Sequence, residues 1–540
     1  MQYAKHFSTR ATPQTEKADS RQAKNNAGGY SFEVDDWQRL ERFLILGSEG
    51  GTYYVGERKL TRDNAACVVR CFHADPERAA KTIADISTEG RAPKNDPAIF
   101  ALAIGAGHES PAARKAALAR VNDVCRIGTH LFQFVEAVQA FRGWGRSLRD
   151  AVARWYSEKD PEKLAYQLTK YRQRGGWSHR DVLRKCHMAT AGANPVIRWA
   201  VSGADSMGAR DVKRGDAVKR YESVGDLPAR LQAFEALQQA QSLAQVVGLI
   251  RDHKFTHEMV PTEWQSKPEV WEALMQDMPL GALVRNLGRL TSLGLLAPLS
   301  NGSRQVGAQL GDVDRIRKAK LHPLAILSAL KTYQAGRGLR GKLTWSPVQQ
   351  AVDALDGAFY SSFQAIEPTG KPTVIGLDVS GSMTWGAVAG CEGLTPAMAA
   401  AAMCLVTAKT ESNYVIMGFS HHFVDLKISP RQRLDDVLRV IGNIPFGRTD
   451  CALPMLWATE SKMPAEVFAV YTDSETYCGG THPHQALRTH REKLAQGAKL
   501  AVVAMTGTQF TIADPSDPGM LDFVGFDTAA PRVLADFARG

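Results

Sequence analysis

Between residues 34 and 360, apolar side chains recur at the three- and four-residue spacing that lines one face of an α-helix. Residues 34–46 (VDDWQRLERFLIL) put Trp37, Leu40, Phe43 and Leu44 on a single stripe. The same spacing predicts helices over 60–72, 76–88, 98–104, 112–124, 128–141 and 147–157, all of ordinary globular length. The connections between them are short and rich in Gly, Pro or Asp. Such a run of short helices predicts stacked helix pairs, an α-solenoid, with a compact helical domain as the alternative. No clean period is visible, so any repeats are degenerate.

After Phe363 the pattern changes. A turn-rich linker (QAIEPTGKP) leads to a short apolar run, 373–378 (TVIGLD), that ends in an acid. A helix is predicted over 396–410, strands over 414–419 and 423–428, and helices over 431–441 and 452–461. A strand at 467–471, a helix at 484–496 and a strand at 500–504 follow. Strands and helices alternating at this spacing predict a doubly wound, mostly parallel sheet. The expected architecture is multidomain, an all-α part followed by an α/β part.

A chain of 540 residues, 44% hydrophobic and 23% charged, is long enough for two or more folded domains and has too ordinary a composition for disorder. No apolar run reaches the length of a membrane span. Residues 1–29 are polar and lack the apolar core of a secretion signal, so they read as a flexible tail on a cytoplasmic protein. The eight cysteines form no C-x-x-C pair, which argues against structural zinc and for reduced thiols. Charge is unevenly placed. Residues 370–540 carry 14 Lys and Arg against 17 Asp and Glu, leaving 52 against 39 for residues 1–369. The whole positive excess therefore sits in the helical part, which suits a polyanion, or simply keeps the surface soluble.

In a doubly wound sheet, ligands gather at the carboxyl ends of the strands. Three segments place oxygen donors there: Asp378-Val-Ser380-Gly-Ser382, Gly447-Arg448-Thr449-Asp450 and Thr472-Asp473-Ser474. Carboxylates and hydroxyls are hard donors and suit Mg²⁺, or Mn²⁺, rather than zinc. They could equally cap the helices that follow. D-x-S-x-S, then T, then D, each behind its expected element, resembles the metal-ion-dependent adhesion site of von Willebrand factor A domains. The resemblance implies that Asp378, Ser380, Ser382, Thr449 and Asp473 are metal ligands, some through water. With one metal position and no general base beside it, the site is expected to be non-catalytic.

The densest cationic stretch runs from Lys170 to His187 and holds Arg172, Arg174, His179, Arg180, Arg184 and Lys185 around a Gly175-Gly176 break. In the predicted second helix Ser178 is the N-cap and Asp181 completes the capping box. Arg180, Arg184 and His187 share one face, while Val182, Leu183 and Cys186 share another. Spaced cations with Trp177 and His187 as stacking planes suit RNA phosphates and unpaired bases. A solvated helix face is the plainer reading, with Trp177 anchoring the turn.

Residues 30–54, 260–290 (VPTEWQSKPEVWEALMQDMPLGALVRNLGRL) and 321–341 (LHPLAILSALKTYQAGRGLRG) resemble the TROVE domain of the Ro autoantigen family, the bacterial members in particular. The resemblance implies a TROVE domain of HEAT-like repeats over 30–365, closed into a ring by a von Willebrand factor A domain over 370–540. It implies a non-catalytic protein that binds Y RNA on the outer face, at positions matching Lys170, Arg174, Arg180, Arg184 and His187. Single-stranded 3′ ends of misfolded RNA would enter a central hole, for which Arg285, Arg289, Arg337 and Arg340 are candidate cations, with structural salt bridges as the plainer role for each. RNA quality control, ribosomal RNA maturation and stress response, with an exoribonuclease such as polynucleotide phosphorylase as partner, are the implied roles. The alternatives are a metal-dependent nuclease and an adhesion-type protein-interaction module without RNA.

Overall fold

The computed structural model describes residues 11–47, 65–188, 194–202, 227–338, 342–363, 367–384, 388, 394–426, 428–443 and 447–540. Chain order gives β1 (Ala23–Lys24) and β2 (Tyr30–Glu33) before the first helix, and a hairpin of β3 (Gln173–Arg174) and β4 (Trp177–Ser178) within the helical part. The C-terminal part adds β5 (Thr373–Asp378), β6 (Tyr414–Phe419), β7 (Phe423–Val424), β8 (Val467–Thr472), β9 (Lys499–Ala504), β10 (Phe510–Thr511) and β11 (Met520–Val524).

The helical part is a succession of short helices, each packed mainly on helices within a few elements of it in sequence. The first, Asp36–Leu46, starts at Asp35 with a full capping box to Gln38 and stops at Gly47 in the left-handed conformation. Helix Asp96–Gly107 is apolar almost all round because helices Pro111–Ala119 and Gly128–Phe141 both pack on it. The helix expected over 112–124 is two, Pro111–Ala119 and Val121–Val124, broken at Arg120. The one expected over 60–72 runs Ala66–Ala74, and residues 60–64 lie outside the described residues.

The array bends back on itself. Lys320 donates its ammonium to the Thr88 carbonyl, and the buried His322 imidazole hydrogen-bonds the Arg91 carbonyl at 3.1 Å. Early and late helices therefore meet, and the α/β domain sits across the seam. Arg91 pairs with Asp527 at 2.6 Å, and His322 reaches the Phe526 carbonyl at 2.9 Å. On the late side, Arg433 pairs with Asp353 at 2.6 Å and Gln334 donates to Asp435 at 2.9 Å.

The α/β domain has the strand order β11-β9-β8-β5-β6-β7, parallel throughout except for the edge strand β7. Every residue of β5 and β8 is buried, as expected of a sheet covered on both faces. Ile375 and Leu377 face a core shared with helix Pro396–Thr410 and continuous with that of the helical domain. Val374 and Phe468 face a smaller core under helix Leu453–Glu460. Gly376 is needed on that side, since a Cβ there would sit 2.7 Å from Pro454. The strand expected over 423–428 is only Phe423–Val424; β11 and the final helix, Ala530–Arg539, went unpredicted.

The expectation of a flexible tail over 1–29 is overturned from residue 11 onward. β2 pairs antiparallel with both β1 and β10, tying the N-terminal segment to the α/β domain. Gln14, Gln22 and Asn25 are fully buried. Gln14 donates to Asp450 at 2.7 Å, and Asn25 to the Thr476 carbonyl at 2.8 Å. Polar side chains that look solvated in the sequence are here the hydrogen-bond partners of buried loop groups.

Candidate metal centre and nucleic-acid interface

β5 and β8 are neighbours, so their carboxyl ends bring Asp378 and Asp473 to one edge of the sheet. Asp378 accepts the Ser380 N–H at 2.9 Å through one oxygen and the Thr472 hydroxyl at 2.6 Å through the other. The Ser380 and Ser382 hydroxyls lie 3.0 Å apart. Asp473 accepts the Glu475 N–H at 3.0 Å through Oδ1. The third segment closes in through Gly447, whose carbonyl accepts the Gly381 N–H at 3.2 Å. Thr449 is buried beside it, its carbonyl held by the N–H groups of Tyr477 and Cys478. The structure thus brings the segments of all five predicted ligands together, each ligand side chain buried.

Burial, followed by the charge of Asp473, pushes the Asp378 carboxyl up to about 7; burial also raises Asp473. Oδ2 of Asp473 and the Ser474 hydroxyl are buried without a hydrogen-bond partner. Two desolvated carboxylates and unpartnered oxygens make a donor set that a hard divalent cation fits. No three His, Cys, Asp or Glu side chains converge as a metal cage among the described residues, so hydroxyls must complete any shell.

Two further carboxylates stand at this edge, Asp450, seen in the sequence only as part of its loop, and Glu475, which escaped sequence reading. Asp450 is held by Gln14 and by the Ala452 N–H, while Glu475 accepts from Asn26 at 2.6 Å and from the Ala27 N–H. Burial, and then Asp473, lift Glu475 to about 7. The N-terminal segment covers this rim, and nothing in the motif spacing announces it.

On the basic helix, His179–Lys185, the Ser178–Asp181 capping box forms as expected. Arg180, Arg184, Lys185 and the following His187 are exposed, and none makes a salt bridge among the described residues. Arg174, on β3, is exposed as well. His179 is not part of this surface. Its ring is buried against Phe132, Trp155 and Tyr156, with Nδ1 2.9 Å from the Tyr156 hydroxyl, and burial lowers its pKa to about 3. The reason is helical phase: position 179 shares the inward stripe of Val182 and Leu183. Lys170 is held on its own helix, while Arg172 is exposed and lies near a ring of a later helix. The Lys170 ammonium donates to the Tyr166 hydroxyl at 3.0 Å, and the Arg172 guanidinium lies 5.7 Å from the Phe234 ring. Trp177 is half-buried beside Trp144, at 6.2 Å between ring centroids.

Arg285 and Arg289 line a cavity of about 670 Å³ between the late helices and the Pro93–Lys94 turn. Neither makes a salt bridge among the described residues; they donate to the Gly281 and Gln265 carbonyls instead. Arg337 is exposed just before Gly338 on the cavity wall, and Arg340 lies outside the described residues. Sequence reading missed Lys94 and the aromatic wall of this cavity. Trp345 stacks on Tyr333 with ring centroids 6.0 Å apart, its indole N–H on the Tyr333 carbonyl.

Comparison with known proteins agrees with this architecture. The TROVE domain family model matches residues 23–332, and that of the Ro60 vWA domain matches residues 373–538. The chain is similar to the RNA-binding protein RO60 of Deinococcus radiodurans, at 41% identity over 98% of this chain and 97% of that one. It is 35% identical to the RNA-binding protein RO60 of Caenorhabditis elegans, over 98% and 92% of the two chains. The crystal structure of the Deinococcus radiodurans RO (RSR) protein superposes with a TM-score of 0.68 at 40% identity, covering 94% of this chain and all of that one.

Proposed function

The chain belongs to the Ro60 family, and from that premise we propose that it binds RNA on its helical domain and holds it without cutting it. The observation that carries this reading is the exposed group Arg180, Arg184 and Lys185 on one short helix, with His187 just past its end in the left-handed conformation, none of them in a salt bridge among the described residues. Cations left without carboxylates gain from phosphate by counterion release. A structured small RNA of the Y type occupies this outer surface, and unpaired 3′ ends of misfolded or precursor RNA enter the cavity of Arg285, Arg289 and Trp345. The A-type domain holds Mg²⁺, or Mn²⁺, through Asp378, Ser380, Ser382, Thr449 and Asp473. Bound there, the cation supplies a Lewis-acidic position that a partner's carboxylate can fill. The implied setting is cytoplasmic RNA quality control, ribosomal RNA maturation and stress response alongside an exoribonuclease such as polynucleotide phosphorylase. No helix among the described residues is long and apolar enough to cross a membrane.

Filter binding with a structured small RNA tests the surface. Arg184→Ala and His187→Ala should each weaken binding severalfold and leave the circular dichroism unchanged; unaltered affinity in both removes this helix from the interface. The same preparations incubated with labelled RNA and Mn²⁺ should leave it intact. Cleavage that disappears in Asp378→Ala would instead establish the nuclease alternative.

A further inference from the structure

A second basic pocket, of about 450 Å³, lies apart from the helix of Arg184 and from the Arg289 cavity. Four cations line it, Arg126, Lys159, Lys163 and Arg230, with Glu162 as the one acid and Tyr166 as an aromatic wall. None of the four makes a salt bridge among the described residues. The Lys159 ammonium sits 3.7 Å from the Trp155 ring centroid and donates to the Trp155 carbonyl. Arg126 donates to both the carbonyl and the hydroxyl of Ser87, each at 2.7 Å. Arg230 lies 5.4 Å from the Tyr166 ring, and its Nη1 is buried with no hydrogen-bond partner.

An orphaned guanidinium nitrogen inside a concave, under-neutralised basic site is what an anion would satisfy. Desolvation, only partly offset by the nearby Glu158, already depresses Lys159 to about 8, and desolvation lowers Arg126. The volume falls within the range of small-ligand sites, and an aromatic wall beside a phosphate site suits a nucleobase. Position adds to this. Ser87, the acceptor for Arg126, hydrogen-bonds Asn95 at 2.6 Å, and Asn95 adjoins Lys94 on the wall of the larger cavity.

We infer that this pocket is a separate RNA subsite, taking the phosphate and attached nucleoside of one nucleotide in an unpaired strand that also occupies the larger cavity. The inference rests on the RNA-binding reading above and extends it to residues outside the basic helix.

The test uses the full-length protein with a short oligouridylate, uridine monophosphate, and a blunt-ended structured RNA, in wild type, Lys163→Gln, Arg230→Gln and the double variant. Lys163 is exposed, so its variant reports even should Arg230→Gln disturb packing. The double variant should bind oligouridylate several times more weakly and lose salt dependence by about 0.7 per missing phosphate contact. Its affinity for the blunt RNA should stand. Unchanged oligouridylate affinity and salt slope in the double variant overturn the subsite. So does a wild type that binds blunt RNA but not oligouridylate, and the basic helix then keeps its role. Monophosphate binding lost in the variants, with oligomer affinity retained, overturns the strand assignment in favour of a free nucleotide. Failure of wild type to bind either RNA overturns the RNA reading as well.

Discussion

At the scale of single residues, chemistry here is decided by what each polar atom lacks. Asp473 keeps one carboxylate oxygen unpartnered and buried close to a second desolvated acid, Asp378. A divalent cation should therefore stabilise the protein, and Asp378→Ala should abolish that gain. Mn²⁺ titration followed by electron paramagnetic resonance, with thermal melts in Mg²⁺ and in chelator, checks it; a variant that still binds Mn²⁺ removes Asp378 from the shell. Gly288 matters through space. A Cβ there would sit 2.6 Å from the Trp345 ring, so Gly288→Ala must displace the indole from the cavity wall. Urea unfolding should show a loss of about 1–3 kcal/mol, the usual cost of overpacking. His179 illustrates the converse, a residue whose type suits RNA but whose helical phase turns it into the core.

Among elements, the helix Pro323–Gln334 joins sequence logic to the ring seam. His322 caps it, its Nδ1 accepting the Leu324 N–H at 3.1 Å while Nε2 faces the Phe526 and Arg91 carbonyls. That geometry needs the neutral ring, and burial lowers its pKa to about 4. The unfolded chain takes up the proton first, so this contribution is complete above about pH 6.5 and is lost as pH falls towards 4. The loss is on the order of 3 kcal/mol. His130 and His484, both lowered to about 4, act in the same direction. Chemical denaturation at pH 7.5 and pH 5 should show the drop, and His322→Gln should make it shallower, leaving the share of the other buried histidines. An equally steep pH dependence in that variant would clear His322 of the effect.

At the scale of the whole molecule, the larger hydrophobic core runs from the first helices through helix Pro396–Thr410 to β5 and is shared by both domains. The buried pair Arg42–Asp522, at 2.5 Å, welds the first helix to β11, and Arg42 also donates to the Phe510 carbonyl at 3.0 Å. Removing one member of a buried pair strands the other. Arg42→Ala should cost about 3–5 kcal/mol. Wild type should unfold in one calorimetric transition and the variant at a markedly lower temperature. Two separate transitions in wild type would show that the domains do not share a core as drawn.

Local pattern determined much of this protein. Helices Gly128–Phe141 and Pro396–Thr410 and strands β5 and β6 lie where periodicity placed them, because a single apolar face or a fully apolar run is a property of consecutive residues. The three oxygen-bearing loops were legible for the same reason, each following a recognisable strand or preceding a recognisable helix. Tertiary structure alone decided what depends on distant partners. It buried Gln14, Gln22 and Asn25 over the loops of the α/β domain, engaged Lys170 with Tyr166 and Arg172 with Phe234, and set Arg126 and Arg230 around one pocket. A polar side chain carries no mark of whether water or a remote carbonyl will satisfy it, and only the closed chain supplies the answer.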